Sequence, residues 1–170
     1  MSAGVATTER LRLEPFSLDH LDDLAAMLAD PLVGATMGGV RDRAYAEERT
    51  RIHAQRWADD GFGLWAAYRI DDGAFVGRGG IQHTLLEGTD VVEVGWCLVP
   101  AQWGNGFATE MGRAGLELGW NDLGLDEIVA FTQPFNAASL AVMHRLRMSY
   151  LRDAVHADLP HVVYSVRRAS

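Results

Sequence analysis

The chain has 170 residues and a mass of 18.6 kDa, which is the size of one ordinary domain and is enough to bury a core without disulfides. Its 48% of hydrophobic and 22% of charged residues exclude a disordered or fibrous protein. The formal net charge of −8 argues against a nucleic-acid-binding protein, which needs a basic patch, and mildly favours cationic partners. All fifteen basic residues are arginine, so no lysine can form a Schiff base or anchor a phosphate.

The expected compartment follows from the cysteine content and the first residues. Cys97 is the only cysteine, so an internal disulfide is impossible and the reducing cytoplasm is the simplest compartment. The N-terminus lacks the basic start and apolar block of a signal peptide, and no apolar run approaches the ~20 residues that cross a bilayer. No His, Cys or Asp residues have zinc-site spacing, so we expect one metal-free cytoplasmic domain over residues 1–170.

The first third of the chain is predicted to hold one strand and two helices. Ser17 is a typical N-cap for the first helix, and three glycines favour a loop at residues 32–40. The second helix is charged, and its sparse apolar stripe is typical of a helix that covers one side of a sheet. That stripe consists of Tyr45, Ile52 and Trp57. The strand and the two helices are predicted at residues 11–13, 18–30 and 41–60.

The rest of the chain begins with an antiparallel meander and ends with a hairpin whose turn is predicted at residues 158–160. Between them, apolar periodicity predicts a helix, a buried strand and another helix. This order predicts a mixed α+β architecture in one domain. The elements are predicted at residues 64–70, 75–85, 91–99, 107–120, 126–132, 136–146, 149–157 and 161–167.

A glycine-containing loop at residues 102–106 carries the functional signal, because it leads from a strand directly into a helix. The first amides of a helix have no partner inside it, and the helix dipole adds positive charge, so Gly104 and Gly106 can let a phosphate approach. A dinucleotide fold uses the same physics, but Thr109 replaces its third glycine and this loop does not follow a first strand. Alternatively, the glycines only form a tight turn.

Two separated motifs are specific enough to suggest a family. Residues 93–96 and 103–110, EVGW and WGNGFATE, resemble the acetyl-CoA-binding segment of the GNAT superfamily of N-acetyltransferases, and more narrowly its RimJ/RimL-like branch. The NAAS run at residues 136–139 is similar to the Asn-x-x-Ser helix start of that branch, and the opening ERLRL at residues 9–13 is also of this type. The chain departs from the family at residues 147–148, where Arg-Met replaces the usual Gly-Phe.

The resemblance implies a GNAT-like fold, in which a mixed, mostly antiparallel sheet with a splayed central strand pair is flanked by helices. The splayed strands would be those at residues 91–99 and 126–132, with the pantetheine arm of the co-substrate acetyl-CoA between them. The implied partners of that arm are the backbone groups of Cys97, Leu98 and Val99, together with Asn136 and Ser139 near the thiol. The implied partners of the diphosphate are the amides of Trp103, Gly104, Asn105, Gly106, Phe107 and Ala108, with Thr109 in the first helical turn.

The resemblance also implies direct transfer of the acetyl group from sulfur to a primary amine. The backbone N–H of Leu98 would bind the carbonyl oxygen, and Glu93 is the first candidate for the base, directly or through water. His83 on the neighbouring strand is the second candidate, because histidine titrates in a useful range. Many relatives use a tyrosine as proton donor to the thiolate, but Met143 stands at that position, so Ser139 is the expected donor. The alternative for Ser139 is a local bond to the backbone.

The sequence leaves several functional alternatives open. The expected acceptor is a protein N-terminal amine or a small amine such as an amino acid or antibiotic, in a cleft formed by residues 32–40, the second helix and the closing hairpin. A CoA-binding sensor without turnover is favoured by Met143, and a nucleotide-dependent oxidoreductase is a third alternative. Cys97 lacks a His–Asn context, so we expect a buried small hydrophobe and not a nucleophile. Residues 162–166 are the candidates for a homodimer contact.

Overall fold

The described chain contains eight strands, five helices and two short 3-10 turns. The computed structural model describes residues 4–170. Its strands are β1 (Ala6–Thr7), β2 (Leu11–Pro15), β3 (Leu64–Arg69), β4 (Phe75–Leu86), β5 (Thr89–Leu98), β6 (Glu127–Thr132), β7 (Ser149–His156) and β8 (Leu159–Arg167). Its helices are α1 (Leu21–Ala29), α2 (Pro31–Gly34), α3 (Arg43–Asp60), α4 (Phe107–Asn121) and α5 (Ala137–Arg145), with 3-10 turns at Leu18–His20 and Pro100–Gln102.

All eight strands join one sheet in the order β1-β2-β3-β4-β5-β6-β8-β7. Every neighbouring pair is antiparallel except β5 and β6, which are parallel. These two strands pair only at Glu93 and Val129, so they separate towards the end of β5. The predicted α+β fold, a mostly antiparallel mixed sheet with a splayed central pair, is confirmed.

The two faces of the sheet are covered by different helices. On one face, Leu116 of α4 and Val142 of α5 pack in one cluster with Ile81 and Val94 of the sheet. A Cβ atom at Gly115 would lie 3.2 Å from the backbone of Gly80, so this glycine allows α4 to pack close to β4. The close packing fixes the second half of α4 against the sheet.

The opposite face of the sheet is covered by α1 and α3. Leu24 of α1 and Ala46 of α3 pack in one cluster with Cys97 of β5. Successive side chains of a strand point to opposite faces. Glu93 and Cys97 therefore face α1 and α3, whereas Trp96 faces α4 and α5.

The inner face of α3 differs from the predicted apolar stripe. Its buried residues are Ala46, Thr50 and His53. The small Ala46 lets the helix approach the sheet, and the Thr50 hydroxyl donates a hydrogen bond to the Ala46 carbonyl at 2.8 Å. The predicted residues are all half-buried and lie outside this buried set: Tyr45, Ile52 and Trp57. The periodicity was misleading because polar side chains with partners in the fold occupy the buried positions.

The segment at residues 32–40 was expected to be a loop, and its first part is the short helix α2. Pro31 occupies the first turn of α2, where its missing N–H costs nothing because an N–H at this position has no partner inside the helix. The Asp30 side chain caps the helix by accepting from the N–H of Leu32. A loop then leads to α3. Among the helices of residues 4–170, none combines the length and apolar character that a bilayer-crossing helix needs.

The closing hairpin turns one residue earlier than the predicted residues 158–160. Ala157 and Asp158 have positive φ angles of 50° and 61°, as in the turns that match the twist of paired strands. Pro160 therefore belongs to β8, where it pairs with Val155 of the edge strand β7. The unusual Arg147 at the end of α5 also has a positive φ, 59°, and so adopts the left-handed conformation that the family gives to glycine.

Candidate functional site

The gap between β5 and β6 exposes backbone groups of β5. The N–H of Val99 donates to the carbonyl of Val76 on β4 at 3.0 Å. Hydrogen-bonding direction alternates along an antiparallel ladder, so the groups of Leu98 and Trp96 point away from β4. Beyond Glu93 the strand β6 no longer pairs with β5, and the N–H of Leu98 therefore faces the gap.

The predicted backbone partners of pantetheine are corrected by this register. Val99 donates its N–H to Val76, and its carbonyl accepts from the N–H of Gln102 at 3.0 Å, so both of its groups are already used. Cys97 pairs with Arg78 in the ladder and by alternation directs its backbone groups to β4. Of the three predicted residues, only Leu98 turns its backbone to the gap.

The carbonyl of Leu98 has a partner that the sequence did not predict. The indole Nε1 of Trp103 donates to it at 3.0 Å. Trp103 is also removed from the predicted set of phosphate-binding amides, because its N–H donates to the carbonyl of Pro100 at 3.1 Å. Trp103 thus links the end of β5 to the glycine loop and leaves the N–H of Leu98 as the exposed backbone donor.

The start of α4 forms a cradle of unpaired amides. Gly104 and Gly106 have φ angles of 75° and 80°, which are strained for any residue with a side chain. Gly106 is the N-cap and offers no side chain to the helix end. Within residues 4–170, the backbone N–H groups of residues 104–109 have no hydrogen-bond partner. Together with the helix dipole, this row of donors fits a diphosphate.

Side chains around the cradle stabilise the loop. The Asn105 side chain donates to the carbonyls of Gln102 and Trp103 at 3.1 and 3.2 Å, and the Asn105 carbonyl accepts from Arg10 Nη1 at 2.8 Å. The Thr109 hydroxyl is buried and has no partner within the described chain. Asn105 and Thr109 therefore offer their backbone amides, and not their side chains, to a ligand.

The start of α5 lies across the gap from β5. The Asn136 side chain caps this helix by accepting from the N–H of Ser139 at 3.2 Å. The Ser139 hydroxyl oxygen in turn accepts from the indole Nε1 of Trp96 on β5 at 3.3 Å. Trp96 occupies one lone pair of Ser139 and leaves its hydroxyl proton free to be donated. Met143 is fully buried in the core.

Glu93 lies where β5 and β6 separate, on the α3 face of the sheet. Its Oε1 accepts from Gln82 Nε2 and Thr84 Oγ1, both at 2.8 Å. The side-chain oxygen of Gln82, Oε1, accepts a hydrogen bond from Arg56 of α3. No group of residues 4–170 donates to Glu93 Oε2, so this oxygen is free to accept a proton or a hydrogen bond.

Residues 10–149 match the family model described as "Acetyltransferase (GNAT) domain". The chain belongs to this family. It is an acetyl-CoA-dependent N-acetyltransferase. Membership decides for an enzyme over the sensor and over the nucleotide-dependent oxidoreductase.

Relatives agree with this assignment over nearly the full length. The uncharacterized protein YkkB of Bacillus subtilis is 29% identical over 158 residues, covering 92% of each chain. A crystal structure of an acetyltransferase from Agrobacterium tumefaciens superimposes with a TM-score of 0.86 at 25% identity, covering 99% of this chain and 96% of that one. The aminoglycoside acetyltransferase AAC(6')-Ib in complex with coenzyme A shares the fold, with a TM-score of 0.71, 20% identity and coverage of 93% and 94%.

One of the predicted catalytic side chains, that of His83, lies apart from Glu93 in the acetyltransferase. His83 neighbours Gln82 in β4 and therefore points to the opposite face from Glu93. Its Nδ1 lies 3.2 Å from Asp90, and its ring packs against Phe62 at 5.2 Å, so the structure does not bring it to Glu93. Cys97 is buried, and burial raises the pKa of its thiol, which confirms the prediction of a small hydrophobe.

The acetyltransferase also contains a buried basic cluster that no sequence pattern indicates. His53 of α3 and Arg78 of β4 lie 2.7 Å apart, between Nε2 and Nη1. Burial, followed by the charges of Arg78, Arg56 and Arg49, lowers the pKa of His53 to about 2. His53 is therefore neutral and accepts a hydrogen bond from Arg78. Only the packing of α3 on β4 makes this pair, since 25 residues separate them.

Two surface hollows meet at Arg10, outside the amide cradle. One of about 710 Å³ runs between the N-terminal segment and α4, and one of about 340 Å³ lies beside Asn105 and Phe107. One hollow borders the amide cradle at Gly106 and the other at Asn105 and Phe107, and neither is lined by Glu93 or Ser139. Within residues 4–170, no group of three or more His, Cys, Asp or Glu residues is arranged to hold a metal ion.

Proposed function

We propose that this enzyme moves the acetyl group of acetyl-CoA directly to a primary amine, on a protein N-terminus or a small molecule, as a cytoplasmic member of the RimJ/RimL-like branch. The branch is supported by the motifs at residues 103–110 and 136–139. The observation that carries the proposal is the row of unpaired amides at residues 104–109, which lies at the end of a split strand pair. A row of this kind has no role in the fold itself, because each amide lacks a protein partner.

The chain's own residues fit the co-substrate at three points. The amides of residues 104–108 would hold the diphosphate, the N–H of Leu98 would face the pantetheine arm and the acetyl carbonyl oxygen, and Ser139 would lie near the sulfur. When bound, acetyl-CoA supplies a thioester, whose acetyl carbon forms a bond to the amine nitrogen while its bond to sulfur breaks. The N–H of Leu98 would stabilise the negative charge that develops on the carbonyl oxygen.

Proton transfers would be divided between two side chains. Oε2 of Glu93 would accept a proton from the amine, directly or through one water, while Gln82 and Thr84 hold Oε1 in place. The Ser139 hydroxyl would donate its proton to the departing sulfur and recover one from solvent. Trp96 keeps the Ser139 hydroxyl oriented, because its indole N–H donates to a lone pair of the oxygen and leaves the O–H group free to donate.

The experiment is a measurement of thiol release from acetyl-CoA with a panel of amines and N-terminal peptides. We expect acceptor-dependent release with at least one class of amine. Glu93→Gln keeps the size of the side chain but removes the base, so kcat/KM for the acceptor is expected to fall about 100-fold. The matched control is Glu127→Gln, an ion-paired glutamate on β6, which leaves the rate unchanged.

Two outcomes would contradict the proposal. The first is the absence of acceptor-stimulated release with every amine although coenzyme A binds. The second is an unchanged rate in Glu93→Gln, which would remove Glu93 from the reaction.

A further inference from the structure

The arginines of this chain fall into two groups, and one group lies along α3. Seven arginines form ion pairs with carboxylates, and four others are exposed: Arg113, Arg145, Arg147 and Arg168. The remaining four are half-buried, and within residues 4–170 none lies within 4.0 Å of a carboxylate: Arg41, Arg49, Arg56 and Arg78. We call these four the α3 arginines.

The α3 arginines are held in place by neutral groups. Arg78 contacts His53, and Arg56 donates to the carbonyl oxygen of Gln82. Arg41 and Arg49 both lie over the ring of Tyr45, with distances of 4.9 and 5.4 Å from the guanidinium carbon to the ring centre. Their positions are thus defined by the fold, and within residues 4–170 none of the four forms an ion pair.

Several polar atoms of this cluster are buried without any partner. These atoms are the Nε of Arg41, Arg49 and Arg78 and the Nδ1 of His53. A buried donor without an acceptor destabilises a protein by about 1–3 kcal/mol, and more when it is charged. Burial also lowers the pKa of Arg56, although the negative charges of Glu93 and Asp60 act in the opposite direction. The cluster is therefore short of acceptors, and an anion from outside would supply them.

The cluster adjoins the reacting end of the site. Arg56 and Glu93 are separated by a single amide group, that of Gln82, which binds both. The loop after α2 reaches the end of β6, where the carbonyl of Thr36 accepts from the side chain of Gln133 at 3.3 Å. A ligand held by the α3 arginines would therefore lie within reach of Glu93.

We propose that the acceptor is a small amine that carries a carboxylate, as a free amino acid does. The carboxylate binds Arg49, Arg56 and Arg78, and the amine nitrogen faces Oε2 of Glu93. Guanidinium groups suit this role because their paired N–H donors match the two oxygens of a carboxylate. This inference rests on the proposed acetyl transfer and gives it a substrate class. It reverses the expectation of a cationic partner, since the net charge of the whole chain does not determine the charge of one cleft.

The kinetic test compares amino acids with their carboxamides, which keep the amine and lose the anion. We expect kcat/KM for the best amino acid to exceed that for its carboxamide about tenfold or more. In Arg49→Gln and Arg56→Gln this ratio falls towards one, because KM for the amino acid rises more than KM for the carboxamide. Arg168→Gln, an exposed and unpaired arginine, keeps the ratio. Faster turnover of carboxamides or of the cationic aminoglycoside kanamycin than of amino acids would overturn the proposal.

A binding test separates this inference from the acetyl transfer itself. N-acetyl amino acids carry the same carboxylate, so they are expected to raise the melting temperature of the protein loaded with coenzyme A, and their amides are not. The effect is lost in Arg49→Gln and Arg56→Gln and kept in Arg168→Gln. If no amine is acetylated but this pattern holds, the proposed reaction fails and the anion site stands. If amines are acetylated and no carboxylate raises the melting temperature, the anion site is wrong.

Discussion

Arg10 and Glu110 are 100 positions apart in the chain and are joined by three contacts. The N–H of Arg10 donates to Oε1 at 2.8 Å, its Nε donates to Oε2 at 2.8 Å, and its Nη2 lies 2.7 Å from Oε2. The hydroxyl of Thr8 adds a fourth donor at 2.6 Å. Burial would raise the pKa of Glu110, but these bonds outweigh it and lower the pKa. The first turn of α4 is thereby tied to the start of β2.

Replacing this arginine should loosen the amide cradle. Arg10 also donates to the carbonyl of Asn105 inside the loop, so Arg10→Gln removes support on both sides of Gly106. We expect KM for acetyl-CoA to rise about three- to tenfold with little change in kcat, measured by thiol release. The control is Arg167→Gln, which removes the surface ion pair with Glu127 and should leave KM unchanged. Equal KM values in both variants would show that Arg10 does not support the loop.

The left-handed glycine at the N-cap of α4 is required by its backbone. A Cβ at Gly106 would approach only the side chain of Arg10, at 3.5 Å, so space is not the limit. The φ angle of 80° makes Gly106→Ala destabilising by about 1–2 kcal/mol or shifts the loop. We expect weaker coenzyme A binding in a direct titration. Gly124→Ala, at a φ of 64° in a turn away from the loop, should lose similar stability and bind coenzyme A normally.

The parts of the site that could be predicted from the sequence are those determined by neighbouring residues. Gly104 and Gly106 announce a strained turn before a helix, and Asn136 is a typical cap whose side chain accepts from the N–H three residues later. Such local geometry depends on few residues. It can therefore be predicted from the motifs even without knowledge of the packing.

The parts that could not be predicted depend on strand register and on distant contacts. The backbone of Val99 was assigned to the ligand, but the β4–β5 register turns its N–H to Val76. The amide of Trp103 was assigned in the same way, but a 3-10 turn uses it. The pairing of His53 with Arg78 requires α3 to pack on β4. None of these three facts has a signal in the order of residues alone.

Neutral His53 makes stability depend on pH. Its pKa is lowered to about 2 in the folded protein, whereas the unfolded chain has the ordinary value of 6.5. Between pH 6.5 and the folded-state pKa, only the unfolded state takes up this proton. The contribution of neutral His53 to the free energy of unfolding is therefore full above pH 6.5, and it is lost as pH falls, by up to ~1.4 kcal/mol per pH unit. Urea unfolding between pH 7.5 and 5.5 should show this slope, because carboxylates titrate lower, at about pH 4.

A glutamine at position 53 tests the origin of that slope. His53→Gln can still accept a hydrogen bond from Arg78 but does not titrate, so its stability should be nearly constant over the same pH range. The control is His144→Gln, since His144 is exposed on α5 and should keep the slope. A slope that survives in His53→Gln would assign the pH dependence to another group.

Ser139 is expected to act through its hydroxyl proton, and Trp96 through its hold on the hydroxyl oxygen. Ser139→Ala removes the donor, so kcat should fall about 10- to 100-fold with little change in KM for acetyl-CoA. Trp96→Phe keeps the ring but frees the oxygen, so a smaller loss is expected. An acceptor-dependent rate of thiol release that is unchanged in Ser139→Ala would contradict the role of Ser139 as proton donor. Ser165→Ala, on β8 between β6 and β7 and outside the proposed site, is the matched control and should have the parent rate. The Trp96→Phe variant still has the Ser139 hydroxyl, although it is less well oriented. Adding Ser139→Ala to Trp96→Phe should therefore lower kcat further, to the value of Ser139→Ala alone.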